Sequence, residues 1–459
     1  MTDNYNRKYR QTILLGLIKV IKELFPDEIL KIPYSIRDAV YCEFADSLIS
    51  PREVKLIETT LQHWLRHGSR IDLKEKRNGF YVYNVNNTLI KTIYPSFDDT
   101  SVIKGFRLYP FAPGFIFDFI DDAEAPEQFP LPEKLSATYA ESEKWLEVLK
   151  LSEVEDVNTY IRNGCAQEII SLAEALQEKK IADIADMIDS EKKRVRIVLI
   201  SGPSSSGKTT FTKRLSTQLT VNGLKPISLS LDNYFLDRDK TPRDNQGQPD
   251  FDSLYALDLS LLNNHLERLI AGETVETPVF NFLTGTKNHH GQVLCLKPDN
   301  ILLVEGIHAL NPGLLTINNN FFFKVYISAL FSLNINSHNR VPTTEARLIR
   351  RIVRDEKFRG FPPERTLKQW ASVRQGEKSS VFKYQEKADV MFNSSLLFEL
   401  NALRSYAEPL LATVPENSDY HDAAVRLLNL LSFFEPMDTS NIPFNSILRE
   451  FIGGSIYPV

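Results

Sequence analysis

A chain of 459 residues can hold two or three domains, and 42% hydrophobic with 25% charged residues is the balance of an ordinary globular protein. The net charge of −5 argues against a broad electrostatic grip on nucleic acid, although it is compatible with a local basic patch. No apolar run is long enough to cross a bilayer and the polar start MTDNYNRKYRQ has no signal-peptide core, so a cytoplasmic protein without a membrane partner is expected. Cys42, Cys165 and Cys295 are far apart and form no CxxC pair, which argues against a disulfide framework or a thiolate zinc site. Each is expected as a buried small hydrophobe.

In chain order, residues 8–24 carry apolar residues at helical spacing, with Pro26 just beyond. Between about 80 and 120 the pattern shortens to strand-like runs, GFYVYNV, TLIKTIY and GFRLYPFAPGFIFDF. The acidic, proline-rich stretch DDAEAPEQFPLPE, 121–133, reads as a linker. Residues 135–190 read as helical. From 191 onward apolar runs alternate with helical segments: RVRIVLI, a helix over 207–222, KPISLSLD, a helix over 257–271, NILLVEG and FFFKVYIS. That alternation predicts an α/β fold with a mainly parallel sheet and helices on both faces. Residues 396–435 are helical again, and the glycine-containing NSILREFIGGS closes the chain. The division is therefore 1–130, a helical linker over 131–190, and an α/β domain over 191–459.

The stretch ISGPSSSGKTTF carries the sharpest signal. Gly202, Gly207, Lys208 and Thr209 satisfy GxxxxGK followed by Ser or Thr, between a strand and a helix. Glycines let the backbone turn its N–H groups onto phosphate oxygens, and the helix that follows points its positive end at the same anion. Lys208 can reach the β- and γ-phosphates, and the Thr209 hydroxyl can ligate Mg²⁺. Asp232 follows the next strand, at the sheet edge where α/β proteins place their sites; a carboxylate there can accept a proton or help hold a metal. Glu305 ends another apolar strand and suits the same cation. EARLIRRIVRDEKFRG brings Arg347, Arg350, Arg351, Arg354 and Arg359 along one helix at spacings of three and four, as in a lid that closes on a triphosphate.

From about 194 to 395 the chain resembles the uridine kinase and phosphoribulokinase group of P-loop kinases, through GPSSSGKTT, LDNYF, PDFDSLYALD, GETVETPVFNF, ILLVEGI and RLIRRIVRDEKFRG in that order. The resemblance implies a kinase that moves the γ-phosphate of ATP to a small-molecule hydroxyl, with Mg²⁺. Gly202, Pro203, Ser204, Ser205, Ser206, Gly207, Lys208, Thr209 and Thr210 would hold the triphosphate, together with Arg351 and Arg354. Asp232 would be the general base, with Lys208 beside it in catalysis. Thr209, Asp232 and Glu305 would serve the metal. Asp252 matches the position that contacts the ribose hydroxyls, and Phe280, Arg347 and Arg350 fall on the acceptor side. The family's base-reading tyrosine and histidine correspond to Phe280 and to a position near Gly285, so the groups that read a pyrimidine are not matched. His289 and His290 follow closely and are expected on an exposed hairpin loop.

The first region, YRQTILLGLIKVIKELFPDEILKIPYSIRDAVYCEF, resembles the start of the second additional, or editing, domain of threonyl-tRNA synthetases. Arg10 is kept, while the two histidines of that family's HxxxH fall at Gln11 and Leu15, which can neither bind metal nor hydrolyse. Together the halves resemble a longer nucleoside-kinase-like family, through NSILREFIGGS. Two other readings fit the residues: a kinase for pantothenate, glycerate or a sugar phosphate, and an RNA-associated regulatory NTPase. A homo-oligomer is among the assemblies the sequence allows.

Overall fold

The computed structural model describes residues 2–36, 38–119, 131–243, 247, 249–281, 284–317 and 319–457. The stretch expected as a linker over 121–133 lies outside them up to residue 130. Five parallel strands form the central sheet, in the order Lys225–Ser230, Asn300–Glu305, Ile197–Ser201, Phe322–Ser328 and Val390–Asn393. Their near-continuous apolar runs are what a parallel sheet covered on both faces requires. Alternation sorts the side chains. Val198, Ile200, Ile301, Leu303, Val325 and Ile327 enter one core, while Ile197, Leu199, Leu302, Val304 and Tyr326 enter the other. The first core also takes the helices Ala166–Ser190, Lys208–Val221, Thr343–Arg359 and Glu399–Leu411, and the second takes Leu259–Ile270.

The segment expected as a linker over 131–190 forms three helices, Glu133–Leu149, Val154–Arg162 and Ala166–Ser190, that are packed along their length. Ile169, Ile170, Ile181, Ile184 and Ile188 are buried against the core of the α/β unit. Arg214, 2% exposed, pairs with Glu174 and Glu178 of the longest of these helices. Their apolar stripes have nowhere else to bury, so they become a layer of the α/β unit.

The N-terminal region is α+β. Two helices, Thr2–Leu24 and Pro51–Arg66, cover an antiparallel sheet that contains Ala39–Phe44, Arg107–Phe111 and Gly114–Asp118. A three-stranded meander, Ile71–Arg77, Phe80–Val85 and Thr88–Thr92, turns at Asn78–Gly79 and Asn86–Asn87, all four with positive φ as tight hairpins need. Val40, Cys42 and Phe44 face this region's own core, while Ala39 and Tyr41 face the α/β unit with Tyr34, Tyr139 and Leu135. Arg10 pairs with Asp38, which also binds Lys378 of the α/β unit. Gln11 and Leu15 are both buried, Leu15 in the apolar core. Cys42 is buried as expected, whereas Cys165 and Cys295 are only half-buried, on a helix start and an edge strand.

Candidate active site

The site follows from strand register. Ile197–Ser201 is the central strand, and its carboxyl end runs into residues 202–207. Glu305 lies opposite Ser230 on one side and Ile200 on the other, and Asp232 stands two residues past Ser230. Three consecutive sheet positions therefore deliver the loop and both acids to one edge. They open on a cleft of about 1350 Å³ lined also by Asp252, Phe235, Phe251, Arg351, Arg354 and Arg359.

The loop is held in a demanding conformation. Gly207 has φ +82° and a Cβ there would meet Ile447 at 2.6 Å. Ser205 has φ 57°, a region non-glycine residues rarely adopt. Bracing comes from behind. Arg347 donates through Nε to Ser204 O (2.9 Å) and pairs with Glu377, which accepts from Ser204 N (2.9 Å). Arg350 donates to Ser205 O (3.3 Å) and Ser394 O (3.0 Å) and pairs with Glu399. Both arginines are essentially unexposed. This corrects the expectation that Arg347 and Arg350 contact substrate: the inner face of their helix is sealed in the core, so they position the loop. The neighbouring face of the same helix does reach the cleft. Arg351 donates to Ser204 Oγ (2.9 Å), and Arg351, Arg354 and Arg359 converge on the buried Asp355 while bordering the cleft.

Lys208 and the acids of the cleft perturb one another. Lys208 donates to Pro203 O (3.1 Å). Loss of hydration lowers its pKa, while Glu305, Asp232 and Glu450 pull it up. Glu305 accepts from Ser230 Oγ (2.8 Å), and burial together with the nearby Asp232 pushes its carboxyl up to about 7. Asp232 reaches solvent through the cleft opening, yet the protein around it raises its pKa against the pull of Lys208, Arg359 and Arg354. Thr209 is exposed beside them. Among the described residues no three His, Cys, Asp or Glu side chains form a metal cage; Thr209, Asp232 and Glu305 line the cleft with one hydroxyl and two carboxylates.

Asp252 also lines the cleft, and burial and the Glu377 charge raise it to about 7. Gly376 permits its approach, since a Cβ there would lie 2.2 Å from Asp252 Cβ. Phe280 is 6% exposed and packs on Phe235 (5.6 Å between centroids), whose ring lines the cleft. Gly285 has φ +71° and sits against Arg238. His289 and His290 are exposed, His290 beside Glu276. Sequence reasoning missed Glu377, Glu399, Asp355 and Glu450. Glu377, Glu399 and Glu450 stand in no local motif, because each acts on a residue it meets only through folding, whereas Asp355 lies inside the arginine run and pairs with Arg351 and Arg359 four residues away on the same helix.

Similarity to known proteins covers the α/β part of the chain. Residues 197–396 match the phosphoribulokinase / uridine kinase family. A uridine kinase of Deinococcus deserti is 29% identical over 196 residues, covering 42% of this chain and 86% of that protein. One of Anoxybacillus flavithermus is 28% identical over 182 residues, 40% of this chain and 77% of that one. The structure of a possible uridine kinase from Bacillus stearothermophilus superposes over 47% of this chain and all of that one, with TM-score 0.32 and 19% identity. With its central strand, phosphate loop and arginine helix inside the matched span, the chain carries a phosphoribulokinase/uridine kinase family domain, a phosphotransferase module of the P-loop kinase class.

Proposed function

We propose that the protein is an ATP-dependent kinase that phosphorylates a hydroxyl of a small molecule, with a nucleoside of the uridine or cytidine class as acceptor. The observation that carries this reading is the meeting of Lys208, Asp232, Glu305 and Asp252 in one cleft above the carboxyl edge of the sheet. The names of the relatives support the acceptor class.

Each residue then has a task. The backbone of 202–207 and the start of the Lys208–Val221 helix present N–H groups to the triphosphate, and Lys208 adds a positive charge. Asp232 accepts the proton of the acceptor hydroxyl. Arg351, Arg354 and Arg359 neutralise charge that develops during transfer, and Asp355 fixes their directions. Thr209, Asp232 and Glu305 would hold Mg²⁺, whose hard oxygen preference fits this donor set and which would supply charge neutralisation on the phosphates. Asp252 accepts from acceptor hydroxyls. The acceptor's base would meet Phe235 and Phe251, with Phe280 behind, so recognition rests on aromatic contact rather than on a tyrosine hydroxyl and a histidine.

The N-terminal region is read as an editing-like fold without its chemistry, a reading supported by the burial of Gln11 and Leu15 where that chemistry needs accessible histidines. Calorimetric titration of uridine and cytidine into protein holding a non-hydrolysable ATP analogue tests the acceptor assignment. Binding weakened roughly ten-fold or more by Asp252→Ala is expected, as a charged hydrogen bond is lost. Binding unaffected by that change moves the acceptor elsewhere.

A further inference from the structure

The closing segment, 439–457, lies outside the family-matched residues yet packs against the phosphate loop. Its polar, glycine-containing sequence reads as a tail, but Ile447, Leu448 and Phe451 are fully buried. Arg449 pins it by donating to Thr439 O (3.0 Å), Ile442 O (2.6 Å) and Gly453 O (3.4 Å). The Phe451 ring lies 5.1 Å from the Arg350 guanidinium.

Two contacts reach the loop. Ile447 abuts Gly207. Glu450 Oε2 accepts from Thr210 N (3.2 Å) and from Thr210 Oγ1 (2.7 Å). Thr210 stands in the first turn of the Lys208–Val221 helix, where N–H groups have no partner within the helix and attract anions. A protein carboxylate, 8% exposed and bordering the cleft, thus already holds two donors at the anion-binding end of this helix. Lys208, meanwhile, donates to a carbonyl of its own loop.

We propose that the 439–457 segment is a built-in competitor for the phosphate cradle: Glu450 occupies an anion position at the helix start, and a nucleoside triphosphate displaces it on binding. This rests on the phosphate-loop reading above. Thr210 cannot give the same N–H to Glu450 and to a phosphate oxygen, and two anions brought together there repel. Linkage makes the effect reciprocal, so the docked segment weakens nucleotide binding and bound nucleotide loosens the segment.

Nucleotide affinity and hydrogen exchange, both on the full chain, test this. Glu450→Gln keeps an acceptor for Thr210 but removes the charge, and it should bind ATP with Mg²⁺ about ten-fold more tightly than the unaltered protein. In the unaltered protein, which needs no substitution to fold, ATP with Mg²⁺ should speed exchange at residues 447–453. Slower exchange there, together with equal or weaker ATP binding by Glu450→Gln, overturns the proposal and makes Glu450 a support for the loop. Failure of both proteins to bind ATP overturns the kinase reading itself, and the competition with it.

Discussion

Replacing Arg350 by Met removes the cation from a pair in which both side chains are 0% exposed. Glu399 then keeps a charge inside the core, an arrangement that costs about 3–5 kcal/mol. Met also leaves Ser205 O and Ser394 O without their guanidinium donor. Arg350→Met combined with Glu399→Gln removes the stranded charge. The glutamine can still accept from Leu396 N, as Glu399 does at 2.9 Å. The double variant should recover all but about 1–2 kcal/mol of the loss. Nucleotide affinity should not follow stability back. Ser205 holds a positive φ that costs about 1 kcal/mol or more, and the donor that steadies its carbonyl is gone in both variants. Both should therefore bind ATP roughly five- to thirty-fold more weakly, the equivalent of about 1–2 kcal/mol. Urea unfolding and calorimetric ATP titration on the three proteins separate the two effects. A single variant that loses less than about 1 kcal/mol, or a double variant that binds ATP like the unaltered protein, refutes the bracing role.

Asp232→Asn should lower the transfer rate by about 10²–10⁴-fold while ATP affinity changes little, read by single-turnover kinetics beside equilibrium binding. Equal loss of ATP binding would mean that its part in holding the metal or the fold outweighs its part as base. Asp252 gives a signed pH dependence. Its carboxyl is raised from 3.8 to about 7, so the folded protein binds more protons between those values. That contribution to stability is complete below about 4 and is lost as pH rises through about 7. Thermal unfolding without ligand should therefore show a smaller drop in midpoint from pH 5 to pH 8 for Asp252→Asn than for the unaltered chain. Identical drops would show that Asp252 is not held in an unfavourable charged state.

The parts of the site legible in the sequence are those whose chemistry is contiguous. The loop 202–210 is a local pattern, and the alternation of apolar runs with helices carries the parallel sheet, because each strand covered on both faces must be apolar throughout. Asp232 and Glu305 are legible for the same reason, as acids just beyond such runs. The arginine helix is only half legible. Spacing puts its arginines along one side, but nothing local tells Arg347 and Arg350, which meet Glu377 and Glu399, from Arg351 and Arg354, which border the cleft. Glu450 lies 240 residues from the threonine it holds, so only folding joins them. The helices of 133–190 are legible as helices, but their place in the core depends on where the sheet leaves an uncovered face.

The most direct test of the central claim is product formation. Purified protein would be incubated with ATP and Mg²⁺ and a panel of nucleosides alongside pantothenate, glycerate and sugar phosphates, and products would be identified by mass. The account predicts a nucleoside monophosphate from uridine or cytidine, formed with one ADP per product and absent with Asp232→Asn. Intact ATP binding with phosphorylation of a non-nucleoside acceptor, or of no acceptor, would contradict the nucleoside kinase assignment.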